Sequence, residues 1–241
     1  MTITINNPQT LRSETNGTSY TLSSYALPSG TDRLLLVRVH ALRTSETDFT
    51  MGLTFDGVSL TEAITLSEIT TTRRYRTSFF YLIAPTVTTA NLVLTVSASI
   101  SGVAMAACTL FGAAQSSPIG ATDTDAPGNV TAVTLNVLGT SSSSFIFASV
   151  ASTAANAPSW SWSGATEDYD LSGSVDTQEV AASGAHFECD GGDETIVATR
   201  SASGQQFGVA VEILAAAVAG GSRVRHRMIG QGLRMGLQPG F

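Results

Sequence analysis

Lysine is absent from this 241-residue chain; all twelve basic side chains counted as Lys or Arg are arginine. That excludes chemistry needing a lysine amine, such as a Schiff base or the lysine of a phosphate-binding loop. Charge of either sign is scarce: 13% of residues are charged, about half the usual share. The balance of −7 argues against nucleic-acid binding by the bulk of the chain. Cysteine is limited to Cys108 and Cys189, too few for a disulfide framework. Cys108 lies in AMAACTLFG and reads as a buried thiol, whereas Cys189 lies in the polar HFECDGG; a bridge between them stays open for an oxidising compartment. The late apolar run 209–218 contains Glu212 and is too short to span a bilayer, so no membrane insertion is expected. The opening MTITINNPQT has no basic region followed by an apolar core, so no secretory signal is expected either.

Helical spacing is missing too, with no long run of 3.6-residue periodicity and caps. Two-residue alternation takes its place. In RLLLVRVHALR, residues 33–43, Leu35, Val37, Val39 and Ala41 share one face, and Arg38 and His40 point to the other. Residues 44–50 read as a polar loop. Asp56-Gly57 is a hairpin signal between alternating runs within 51–69. Arg73, Arg74 and Arg76 form a short basic cluster ahead of residues 78–119, which carry no charged side chain. Breaks at Pro85, Asn91 and Gly102 divide that stretch into three core strands, 79–83, 91–98 and 102–111. Residues 120–129 read as a loop, 130–137 and 144–150 as strands, and 160–180 as outer strands and loops. Strands at 195–199 and 207–214 close the body. With shorter candidates at 2–5 and 19–27, about twelve strands are predicted, spaced as in a sandwich. The expected fold is all-β: one antiparallel β-sandwich over 1–219, jelly-roll-like or immunoglobulin-like, followed by an extended C-terminal arm over 220–241.

The arm is distinct in charge. It holds four of the twelve arginines and no acid, so it carries +4, while the body sets eight arginines against nineteen acids and carries −11. Six glycines and Pro239 oppose a stable helix. Arg223, Arg225, Arg227, Met228, Ile229, Leu233, Arg234, Leu237 and Phe241 are the residues expected to bind a partner, the acidic body of a neighbouring copy being one candidate.

Catalytic motifs are wanting: there is no Gly-x-Ser-x-Gly elbow and no phosphate loop. His40, His186 and His226 have no metal spacing, and His186 with Cys189 lacks further ligands. The acids Asp123, Asp125, Glu167, Asp168, Asp170, Asp190, Asp193 and Glu194 read as a solvated rim, with calcium as the alternative. Trp160, Trp162 and Tyr169 form an aromatic group suited either to glycan contact or to the core. No enzyme, cofactor or metal is expected.

The segments RLLLVRVHA, GLTFDGVSLTEA and FFYLIAPTVTTANLVLTVSASISGVAMAACTLFGAAQSSPIGA together resemble a family of β-sandwich modules in bacteriophage virion proteins and bacterial surface proteins. The resemblance covers about residues 33–121 and consists of strands and turns, so it carries no catalytic or binding residue with it. It implies a structural component of a virion assembled in the host cytoplasm, foremost a capsid decoration or head-fibre protein. A tail or baseplate fibre component and a host-glycan adhesion module are the alternatives. The partners it implies are other virion proteins and further copies of the chain, a trimer being the expected homo-oligomer.

Overall fold

The computed structural model describes residues 2–70, 72–153, 159–171 and 180–217. The expected arm, 220–241, lies outside them. Fifteen strands and no helix occur among the described residues, and every strand pair is antiparallel.

Three sheets stack face to face. The central one runs β1 (Thr4–Ser13), β9 (Gly102–Phe111), β3 (Leu34–Arg43), β7 (Arg73–Ile83), β6 (Thr61–Thr70). A second sheet, β2 (Gly17–Ala26), β8 (Thr89–Ile100), β4 (Met51–Phe55), β5 (Val58–Ser59), covers one of its faces. The third runs β10 (Ile119–Thr140), β15 (Gly192–Ile213), β11 (Phe145–Thr153), β14 (Val180–Glu188), β13 (Thr166–Leu171), with β12 (Trp160–Ser163) paired to β15. It covers the other face. The antiparallel sandwich read from the sequence is thus present, with one sheet common to two sandwich interfaces.

The charge-free stretch supplies this arrangement. It gives β9 and most of β7 to the central sheet and β8 to the second sheet. A strand buried on both faces has room for a charge only where a buried partner meets it, and otherwise reads as a continuous apolar run; all of β9 but its last residue is buried. In β3, Leu35, Val37, Val39 and Ala41 pack toward the second sheet as the alternation requires. Leu34, Leu36 and Leu42 pack toward the third. The β4–β5 turn is Asp56-Gly57, with φ of +50° and +78°, the double left-handed pair that a two-residue hairpin of matching twist needs.

Two expectations are corrected. Residues 120–129 are not a loop but part of β10, paired to β15 through Asp123 and Asp125. Pro127 and Gly128 are absorbed in a bulge between Asp125 and Gly128, where Gly128 has φ +87°. An edge strand tolerates this, because the missing proline amide need not face a neighbour. The strands expected at 195–199 and 207–214 are one, β15. Its first half and the second half of β10 fold back over the third sheet. Val133, Leu135, Ile196 and Ala198 pack on Ile146, Ala148, Val150 and Ala210, adding a fourth layer. Gly208 permits the fold-back: a Cβ there would lie 2.5 Å from Val133 Cγ1.

The basic cluster before the core is a clamp. Arg74 donates to the Glu46 carbonyl at 2.9 Å, and Arg76 donates to the Phe49 carbonyl at 2.5 Å and to Asp48 at 3.3 Å, fastening the 44–50 loop.

Candidate functional site

Arg38 and His40 lie on the β3 face that meets the third sheet, and they are 3% and 2% exposed. The Arg38 guanidinium carbon lies 5.1 Å from the Phe147 ring centre, 5.3 Å from Tyr169 and 5.8 Å from Phe79, a set of cation–π contacts. Its Nη2 donates to Asp168 Oδ2 at 2.5 Å. The other Asp168 oxygen meets His186 Nδ1 at 2.5 Å, and the His186 ring stacks on Phe145 and Phe147. Burial alone would raise the Asp168 carboxyl; the Arg38 cation and His186 outweigh it and hold the carboxyl below its ordinary range. Gly184 on β14 leaves room for this packing, since a Cβ there would lie 2.3 Å from Arg38 Nη1 and 2.4 Å from the Tyr169 ring.

A second polar chain adjoins the first. His40 Nδ1 lies 3.0 Å from Thr77 Oγ1, and its Nε2 lies 2.7 Å from Ser149 Oγ, which in turn lies 2.5 Å from the Tyr169 hydroxyl. A serine beside a histidine is the start of a hydrolytic triad. Here the third position is a threonine hydroxyl, the serine is capped by Tyr169, and the imidazole is sealed from solvent. Burial, reinforced by Arg38, pushes the His40 pKa down to about 3, so the ring stays neutral and hydrogen-bonded. The chain joins the central sheet (His40, Thr77) to the third (Ser149, Tyr169).

Beside these contacts the two sheets part, leaving a cleft of about 430 Å³ between the β1 and β13 edges. Ile3, Ile5, Pro8 and Phe145 give it apolar walls, Arg38 and His186 line it, and Glu167 and Asp168 stand on the β13 side. Cys108 also faces it, but burial pushes that thiol up to about 12, which keeps it protonated and a poor nucleophile. The cleft has the concavity and mixed lining of a binding site. No protein-family model matches the chain, and no curated protein does either.

The remaining candidates fall elsewhere. Trp160 is 5% exposed and packs in the fourth-layer core, beneath Arg200. Trp162 packs against the same core with its Nε1 donating to Ser183 Oγ at 2.9 Å. The two tryptophans share a side as the alternation predicts, and that side is inward. Tyr169 belongs to the Arg38 network, so the three rings do not form an exposed platform. Asp123 and Asp125 accept the Asn136 and Thr134 amides at 2.6 and 2.9 Å, which covers open amides on the β10 edge. Glu212, inside β15, is fully engaged: it accepts the Ser141 amide and Ser144 hydroxyl at 2.6 Å and the Ala121 amide at 2.8 Å. Both cysteines are free and buried. Among the described residues no group of three His, Cys, Asp or Glu side chains is placed to hold a metal.

Proposed function

We propose that this chain is a structural component of a bacteriophage virion, a capsid decoration or head-fibre protein fixed to its particle through residues 220–241. The observation that carries the reading is where the polar side chains go. Arg38, His40, Asp168 and Glu212 are turned inward and tie sheets and turns together. The acids at 123 and 125 protect an edge that would otherwise recruit another strand. A body built this way resists opening and exposes few groups for chemistry. In this reading the chain is not an enzyme, because its serine–histidine pair is sealed and its cleft thiol is held protonated.

The division of charge supports attachment by the arm. The body carries −11 and residues 220–241 carry +4 with seven large apolar side chains, a composition suited to ordering on an acidic, partly apolar surface. Association of copies, a trimer foremost, is part of the proposal. The inward tryptophans weigh against the glycan-adhesion reading; a tail or baseplate fibre remains the alternative location. Mass spectrometry of particles purified from the producing cells tests the proposal. The chain should co-purify at a fixed copy number relative to the major capsid protein, and its absence from washed particles would overturn the reading.

A further inference from the structure

We propose that Arg200, with the shallow pocket it shares with Trp160 where β12 pairs with β15, is a binding site for the oxyanion head group, carboxylate or phosphoryl, of an acidic ligand. Alternation along β15 sets the site up. Ile196, Ala198 and Arg200 fall on one face of the strand, and all three are buried. An arginine thus stands in a row of core side chains, across the ladder from Trp160. Two arginines are buried among the described residues, Arg38 and Arg200. Arg38 has Asp168 as its counter-charge. Arg200 forms no ion pair among the described residues. Its Nη1 donates to the uncharged Ser152 hydroxyl, and its Nε has no hydrogen-bond partner. The Trp160 ring centre, 5.9 Å from the guanidinium carbon, adds a cation–π contact but no counter-charge. Buried charges are ordinarily paired and fully hydrogen-bonded; Arg200 is neither.

The pocket decides the chemistry. Ser159, Ser161, Thr199 and Ser201 complete its lining beside Trp160 and Arg200. Hydroxyls can donate to an anion, and no carboxylate lines the pocket. Asp170 accepts the Trp160 amide at 3.2 Å but forms no ion pair with Arg200. Burial lowers the Arg200 pKa, and no acid among the described residues acts against it, so a negative group brought to the pocket would stabilise the cation. With Nη1 engaged by Ser152, the Nε edge of the fork is left for a contact to two oxygens, the geometry in which guanidinium takes carboxylate and phosphate. The pocket holds about 190 Å³, below the roughly 300–1,000 Å³ of sites that enclose a whole ligand. It therefore takes a head group while the rest of the ligand lies outside. The negative body repels anions at long range, but salt screens that repulsion beyond about 8 Å, so the local pairing governs. The site is independent of which particle the protein belongs to.

The test is a titration of the full-length purified protein, in sodium chloride at constant ionic strength, with sodium acetate and separately with inorganic phosphate, read by two-dimensional NMR. At least one of the two anions should shift the amide signals of Trp160, Ser161, Arg200 and Ser201 saturably. Acetate acting alone assigns the head group as a carboxylate, and phosphate acting alone assigns it as phosphoryl. Arg200→Met should abolish the shifts. Ser161→Glu, an exposed change that brings a carboxylate to the pocket, should abolish them too, and it carries the test if the methionine variant does not fold. Absence of saturable shifts at these four residues with both anions, or shifts that persist in a folded variant, would overturn the site. Particle co-purification is read separately, so the anion site and the virion role stand or fall apart.

Discussion

Arg38 places a guanidinium between two sheets, and its carboxylate partner comes from 130 residues further along the chain. Removing one member of such a pair leaves the other charged and buried, which costs about 3–5 kcal/mol. Asp168→Ala should therefore lower the urea-unfolding free energy by that order, whereas the double change Arg38→Met with Asp168→Leu should recover much of it. Acid acts on the same contact. The folded carboxyl titrates below its unfolded value of about 3.9, so its stabilisation is present at neutral pH and is lost as pH falls through the folded value. His40 acts at higher pH. Its folded pKa of about 3 lies below the unfolded value of about 6.5, so the unfolded chain takes up the proton first. Stability should fall by about 1.4 kcal/mol per pH unit between those values. His40→Gln, measured by urea titration across that range, should flatten the slope by that amount. The sequence places Arg38 and His40 on a shared face of β3, because alternation is local. It does not show that the face is covered, and Asp168 reads there as one more acid of a polar stretch, because its pairing is a tertiary contact.

Among the elements, turns and core strands were the most legible. Asp56-Gly57 encodes its turn through backbone preferences that act within two residues, and 102–111 has too few polar positions for anything but a strand covered on both sides. The second half of β10 was legible as the strand at 130–137, but the first half was not. Its first half, GATDTDAPGN, has the composition of a loop, because an edge strand with a bulge can carry Pro, Gly and acids that a central strand cannot. Those acids protect the edge. Replacing both Asp123 and Asp125 by Ala should speed hydrogen exchange at the Asn136 and Thr134 amides and raise the tendency to associate on concentration, as read by light scattering. Unchanged exchange at those two amides would show that the carboxylates do not shield them.

In the whole molecule the central sheet belongs to both sandwich interfaces, which couples the layers. Both tryptophans report from the fourth-layer core, and far-UV circular dichroism reports from every strand. Coupled layers predict coincident urea transitions by the two signals; an earlier tryptophan transition would mark the folded-back halves of β10 and β15 as a separate unit. The three-sheet stack was only partly encoded: the continuous apolar run of β9 marks a strand covered on both faces, but it does not say which strands form the covering sheets. In the proposed role a structural body is carried on a particle by residues 220–241. The most direct measurement is particle occupancy of a chain ending at Ala219, made beside the full-length protein. The shortened body should keep its circular dichroism but disappear from purified particles. Occupancy equal to that of the full-length chain would contradict it.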